Sequence, residues 1–306
     1  MSTLVFGHKS PDTDSTGSPI IWAWYLKEIK GIDAAPALLG EPNTEALFML
    51  DRWSLDKPQI IDGVARGQKV VIVDTNNPAE LPDGINDADI TAIIDHHKLV
   101  GGLETAGPIE IRIEPLACTA TLMHKMIGDD IAQMPQAVKG AMLTCILSDT
   151  LEFRSPTTTQ EDRAIAEALA SDLGIEIPSY AAEMFAAKSD VSAFSEAELL
   201  RMDSKEYEVG GKQFRVSVLE TTSPATVLDR KDALMAAMPG VAAEDGADQV
   251  LLFVVDILNE EATMLIPNEL SKTVAEKSFG ASVSGDTVVL PGIMSRKKQI
   301  IPNLKV

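Results

Sequence analysis

Carboxylates and imidazoles recur in this sequence where they could gather around cations. His8, Asp12 and Asp14 fall in Gly7-His8-Lys9-Ser10-Pro11-Asp12-Thr13-Asp14, just after the apolar residues 4–6. Asp74 follows the run Lys69–Val73, Asp95-His96-His97 follow residues 90–94, and Asp149 ends an apolar helical stretch as Ser148-Asp149-Thr150. Taken singly, each group has an ordinary explanation: an Asp at a strand end is usually a turn former or a helix cap. The joint pattern carries the argument, because three of the chain's four histidines occupy these positions. The fourth, His124, sits in a helical stretch and reads as structural.

The donor set suggests its own chemistry. Asp12 and Asp14 are two apart, so in an extended loop they point the same way and can serve neighbouring ions. Asp74 or Asp149 can bridge two ions with its two oxygens. Mixed carboxylate and imidazole donors without thiolate favour Mn, Co, Fe or Zn over Mg. Two such ions about 3.5–4 Å apart share a water, lower its pKa and clamp phosphoryl oxygens for in-line attack. His97 is the spare imidazole, available to donate a proton to a leaving oxygen or to hydrogen-bond a phosphate. Asp95 is better suited to orienting an imidazole than to binding metal.

These residues need a scaffold that brings strand ends together. Runs such as Val70-Val71-Ile72-Val73 and Ile93-Ile94 are β-branched on consecutive positions, as in strands buried on both faces of a parallel sheet. Strand candidates at 4–6, Lys69–Val73, 90–94 and 109–114 alternate with helix candidates at 19–29, 44–53, 117–127, 135–148, Gln160–Leu173 and Ile177–Lys188. The pattern predicts an α/β fold: an N-terminal doubly wound, mainly parallel sheet with helices on both faces. Ligands in such sheets bind beyond the carboxyl ends of the strands, where these side chains fall. After residue 188 the texture changes. A hinge at 189–194 is expected to separate a catalytic metal-binding domain (1–188) from a substrate-binding domain (195–306), a smaller α/β unit with a mixed sheet. There a helix over 195–202 precedes a hairpin over 207–219 that turns at Gly210-Gly211.

The chain of 306 residues carries 46 acidic and 26 basic side chains, a net charge of -20. That excludes a general binder of nucleic acid or anionic membrane, which needs a basic face. No apolar run is long enough to span a bilayer and no secretory signal is visible. With Cys118 and Cys145 reading as buried free thiols, a cytoplasmic setting is expected. An anionic substrate would need local cations, and Ser295-Arg296-Lys297-Lys298 supplies them at a strand end, with Lys205 soon after the hinge. Arginine offers a fork and lysine a point charge for phosphate oxygens. Were the two domains to face one another, closure would complete a two-metal site between them.

Gly7-His8-Lys9-Ser10-Pro11-Asp12-Thr13-Asp14-Ser15, Val73-Asp74-Thr75-Asn76, Asp95-His96-His97, Ser148-Asp149-Thr150 and Ser295-Arg296-Lys297-Lys298 together resemble the family II inorganic pyrophosphatases of the DHH phosphoesterase superfamily. The likeness runs over the whole chain with the motifs in family order, and the Ser-Arg-Lys-Lys element points to pyrophosphatase within the superfamily. The resemblance implies hydrolysis of pyrophosphate to two orthophosphates with two Mn2+ (or Co2+) per subunit, and Mg2+ accompanying the substrate. It implies one metal on His8, Asp12, Asp74 and Asp149 and the other on Asp14, Asp74, His96 and Asp149. His97, Lys205, Arg296 and Lys297 would contact the phosphates, with His97 the leading proton donor. It further implies a homodimer joined through the N-terminal domains, for which the alternating segment 109–113 would make an edge strand. Lys9 stands where many relatives carry another residue, and no inserted nucleotide-binding region fits between Asp74 and Asp149.

The main alternative keeps the metals and changes the substrate: a DHH-type phosphodiesterase or exopolyphosphatase acting on short oligonucleotides, cyclic dinucleotides or polyphosphate. Such enzymes carry a Gly-rich substrate element, whereas Val209-Gly210-Gly211-Lys212 reads as a hairpin turn. Aromatics make up only 5% of the chain, which leaves little to stack bases on. A non-catalytic metal or phosphate sensor is a further alternative, but a sensor needs neither a spare His97 nor the cations.

Overall fold

Consecutive β-branched residues build the strands that carry the acidic groups. A computed structural model describes residues 2–306. The chain separates into two compact units, one ending at Lys188 and the other running Ser189–Val306.

In the first unit, strands β1 (Thr3–Phe6), β2 (Ala34–Leu38), β3 (Gln59–Ile60), β4 (Lys69–Val73), β5 (Asp89–Asp95) and β6 (Glu110–Ile113) form one sheet in the order β3-β2-β1-β4-β5-β6. Every pair in it is parallel. Val70, Ile72 and Val73 in the centre are fully buried, which explains their unbroken apolar run. From β1 the chain winds outward to β2 and β3, then restarts at β4 and winds the other way. The loops leaving the neighbouring strands β1 and β4 therefore diverge and open a crevice at this switch point. Strands β2 and β3 carry no signal of the kind that marked the others. Ala34-Ala35-Pro36-Ala37-Leu38 lacks β-branched residues, and its pairing with β1 and β3 makes it a strand.

Helices α1 (Thr13–Trp24), α2 (Thr44–Arg52), α3 (Thr119–Ile127), α4 (Gln136–Asp149), α5 (Gln160–Leu173) and α6 (Ile177–Lys188) complete this unit. Helix α1 corrects an expectation: it begins at Thr13 rather than 19, and Pro19 lies inside it. The start is set by Asp12, whose side chain accepts the Ser15 N–H at 2.9 Å. Asp12 and Asp14 thus occupy a helix cap and first turn, not an extended loop. Almost all of α1 is buried, because it packs against α2, α3 and α4 as well as β1 and β2. A π-helical turn at Tyr25–Ile29 follows it.

The second unit holds α7 (Glu196–Met202), β7 (Ser204–Val209), β8 (Lys212–Thr221), α8 (Ala225–Leu228), α9 (Lys231–Glu244), β9 (Gln249–Asp256), β10 (Glu261–Leu265), α10 (Glu269–Phe279) and β11 (Thr287–Pro291). Its sheet runs β11-β10-β9-β8-β7; β8 and β9 are parallel and the other pairs antiparallel, giving the expected mixed sheet. Gly210 and Gly211 join β7 to β8 at φ +59° and +77°, the two positive values a tight hairpin turn of the I′ kind requires. Along β9, Leu251, Phe253 and Val255 enter one core while Val250, Leu252 and Val254 enter another, so both faces of the strand are covered. Among the described residues, no helix is long and apolar enough to cross a membrane.

Candidate metal centre

The β1–β4 crevice of the first unit gathers the acidic and imidazole groups. Three overlapping clusters form, each with donor atoms within 4.8 Å of one another: His8 with Asp12 and Asp74; Asp14 with His96 and Asp149; and Asp74 with His96 and His97. Asp74 and His96 each belong to two of them. Asp74, at φ +56°, holds a left-handed conformation unusual for a residue with a side chain, and its amide donates to Ile94 O on β5 at 2.9 Å. One of its oxygens lies 3.5 Å from His8 Nε2 and the other 3.4 Å from His96 Nε2. His8 Nε2 is also 3.7 Å from Asp12 Oδ2.

Each imidazole is oriented by its second nitrogen or its backbone. His96 Nδ1 lies 3.1 Å from Leu116 O. A carbonyl only accepts, so a hydrogen sits on Nδ1 and Nε2 is turned toward Asp74. His97 Nδ1 donates to Asp95 Oδ1 at 2.9 Å, leaving its Nε2 free. Asp95 also accepts the His96 and His97 amides at 2.8 and 3.0 Å and the Asn76 side-chain amide at 2.5 Å. It belongs to none of the three clusters.

The charges are heavily loaded toward anion. Burial, then Asp14, Asp12 and Asp95, pushes the Asp74 carboxyl well above the usual range. Burial, then Asp14, Asp74 and Asp12, does the same to Asp149, with His96 opposing. For Asp12 and Asp95 burial pulls upward as well, but the neighbouring His8 imidazole and the hydrogen bond from His97, respectively, lead the effects that hold them below it. Asp149 Oδ2 is buried and has no hydrogen-bond partner. A buried carboxylate oxygen left unpaired among other carboxylates is costly unless a cation meets it, so these residues fit divalent metal. Burial, then Asp14 and Asp149, raises the Cys118 and Cys145 thiols, which keeps sulfur protonated and the available donors to oxygen and nitrogen. His124 lies in α3 outside the clusters, and burial lowers its pKa.

Several supporting residues had no signal in the sequence. The Thr119 amide donates to Asp14 Oδ2 at 2.7 Å and its hydroxyl to Asp74 Oδ1 at 3.1 Å, so the N-terminus of α3 faces the cluster. Ser18 donates to Asp14 at 2.8 Å, and the His8 amide donates to Ser15 Oγ at 2.8 Å. A Cβ on Gly7 would stand 2.0 Å from that oxygen, so glycine is needed for the approach. Fully buried Glu45 accepts from Thr13, Ser148 and Lys188 at 2.9, 2.7 and 3.1 Å, tying together residues adjacent to Asp12, Asp14 and Asp149. Lys9 reaches only toward exposed Asp83, at 3.9 Å.

The cations are gathered in the second unit. Lys205, Arg296 and Lys297 line one cavity of about 580 Å³ with Asp203, Tyr207 and Glu220. Arg296 and Lys297 lie on a short π-helical turn, Arg296–Ile300, capped by Ser295. Gln299 secures the approach to it, accepting the Met294 and Ser295 amides at 2.9 Å each and donating to Gly292 O at 2.6 Å.

A parallel α/β unit with Asp and His side chains at its switch point, followed by a mixed-sheet unit with a cationic cavity, defines a two-unit protein of the DHH class. Residues 2–149 match the DHH family, N-terminal domain, and residues 182–306 match the DHHA2 domain. A probable manganese-dependent inorganic pyrophosphatase of Deinococcus radiodurans is 41% identical over 98% of this chain and 97% of its own. A protein of the same description from Bacillus licheniformis is 35% identical over the same shares. The crystal structure of a Methanococcus jannaschii protein assigned to family II inorganic pyrophosphatase is 32% identical, with a TM-score of 0.61 over 98% of this chain and 97% of that one. An exopolyphosphatase-related protein of Bacteroides fragilis, 13% identical with a TM-score of 0.52, shares the fold. The chain belongs to the manganese-dependent, family II inorganic pyrophosphatases.

Proposed function

We infer that the protein hydrolyses inorganic pyrophosphate to two orthophosphates with manganese or cobalt as its resident metal. Two ions are held per subunit, one by His8, Asp12, Asp74 and Asp149 and the other by Asp14, Asp74, His96 and Asp149; magnesium arrives with the substrate. The observation that carries this reading is the buried, unpartnered Asp149 Oδ2 within a cluster of carboxylates and imidazoles. When bound, the metals supply Lewis-acid stabilisation and a water acidified toward neutrality.

The chain's own groups do the rest. Water releases a proton toward solvent and forms a new P–O bond, the bond to the bridging oxygen breaks, and the departing phosphate takes up a proton. His97 donates that proton from Nε2: Asp95 holds its other nitrogen, and the ring is 53% exposed, so it can be reprotonated from solvent. Lys205, Arg296 and Lys297 bind the phosphate oxygens, the guanidinium as a fork and the amines as point charges. Residues 1–188 thus serve as the metal-binding catalytic domain and 195–306 as the substrate-binding domain, connected by 189–194.

The protein works in the cytoplasm as a homodimer joined through its N-terminal unit. Strand β6 supports the dimer, because it ends the sheet and leaves Ile111 52% exposed. The activity is tested by stripping the protein with chelator, restoring Mn2+, Co2+ or Mg2+, and following phosphate release from pyrophosphate, a dinucleotide and tripolyphosphate. Rapid manganese-dependent release from pyrophosphate is expected; preference for the dinucleotide would overturn the assignment.

A further inference from the structure

Arg296 is already engaged before any anion enters the cavity of the second unit. Its Nη1 donates to Asp203 O at 2.7 Å and its Nη2 to Asp203 Oδ1 at 2.7 Å. The arginine side chain is only 15% exposed, while the Asp203 side chain is 56% exposed. The partner therefore stands at the rim and the guanidinium is held against the wall. Asp203 sits at the C-terminal end of α7, directly before β7, two residues ahead of Lys205 on that strand. The same cavity carries Lys205 and Lys297, so one carboxylate reaches across to fix the arginine of a three-cation group.

An acid in an anion pocket is unfavourable by simple electrostatics, since it repels phosphate and neutralises a cation. Its geometry offers the compensation. An arginine has several freely rotating bonds, and ordering them when ligand binds weakens affinity. A side chain held at two nitrogens by one residue has lost most of that freedom beforehand. Both bonds to Asp203 use the terminal nitrogens, one donor each, so further N–H groups on the guanidinium remain for phosphate oxygens.

We propose that Asp203 is a positioning residue for phosphate recognition, presetting the Arg296 guanidinium through its side-chain and main-chain oxygens. The proposal rests on the reading of Arg296 as a phosphate-binding group. It makes Asp203 a determinant of affinity for polyanions bearing terminal phosphates, acting only through Arg296.

Positioning and electrostatics predict opposite signs, which makes the test decisive. The full-length, manganese-loaded protein is titrated with imidodiphosphate, a pyrophosphate analogue, by calorimetry, and pyrophosphate KM and kcat are measured in parallel. Asp203→Ala removes the side-chain acceptor; affinity is expected to fall about tenfold, equivalent to one ordered rotamer-rich side chain, with KM rising more than kcat falls. Asp203→Asn, whose amide oxygen still accepts from Arg296 Nη2, should recover part of the loss, and manganese stoichiometry should be unchanged in both variants. In Arg296→Ala the further change Asp203→Ala should have no additional effect. Tighter analogue binding by Asp203→Ala, unchanged binding, or an equal loss on the Arg296→Ala background would overturn the positioning role. Wild-type analogue affinity in Arg296→Ala itself would instead overturn the phosphate-binding reading on which it stands.

Discussion

Replacing Asp149 by Asn should stabilise the metal-free protein while removing its tight manganese binding. Asp149 Oδ2 makes no hydrogen bond, so the amide forfeits none at that atom. A donor oxygen of Asp149 lies within 4.8 Å of one from Asp14. At an effective dielectric of about 20, two unit charges at that separation repel by about 3 kcal/mol. Burial first, then Asp14, holds the Asp149 carboxyl well above its usual range, so protonation relieves part of the repulsion. A gain of roughly 2 kcal/mol is therefore expected in mildly alkaline buffer. The sign follows from the raised folded-state pKa. The cost is absent below the unfolded value, grows as pH rises toward the folded value, and is complete above it. The advantage of Asn should accordingly vanish at acid pH, where the carboxyl is protonated in both states, and grow as pH rises. Thermal unfolding of chelator-treated protein reads this as a rise of about 4–8 °C at the higher pH for a unit of this size. A lower melting temperature for Asp149→Asn there, or unchanged manganese affinity, would refute the view of this cluster as a charge-strained metal site.

Other consequences can be checked separately. Thr119→Val deletes the hydroxyl bound to Asp74 but keeps the main-chain bond to Asp14; manganese affinity measured by calorimetry should fall about 10–100-fold. An unchanged affinity would show that Thr119 does not orient Asp74. Gly7→Ala forces a methyl against Ser15 Oγ and should destabilise the protein by about 1–3 kcal/mol, seen as a lowered melting temperature. Ile111→Lys places a charge on the exposed edge strand of the proposed dimer interface and should yield monomers in sedimentation experiments; dimers formed by this variant would contradict an interface at β6.

Much of the fold was legible because its signals are local. Val70–Val73 and Ile93-Ile94 are buried on both sides and so are apolar at every position, a pattern visible in one dimension. Helices α5 and α6 matched their expected bounds, α5 with Thr159 capping its start and Gly174 in a left-handed conformation at its end. What was not legible depends on neighbours. Strand β2, an Ala-rich segment containing Pro36, is a strand because β1 and β3 offer it partners. The beginning of α1 was misplaced because Pro19 looked like a first-turn proline, whereas Asp12 supplies the cap.

The site divides the same way. Residue types and their places after strands or at a helix end single out His8, Asp12, Asp14, Asp74, His96 and Asp149, and the structure brings their donor atoms into overlapping clusters. Asp95 stands outside these clusters, whereas His97 shares one with Asp74 and His96. Only the tertiary structure decided what surrounds them: Thr119 beneath Asp74 and Asp14, Leu116 O behind His96, Glu45 joining Thr13 to Ser148, and Asp203 gripping Arg296. Serine, threonine and main-chain carbonyls occur everywhere along the chain and carry no signal of their own. Hydrogen bonds reach only about 3 Å, so their partners are chosen by packing, which brings together residues as far apart as 14 and 119.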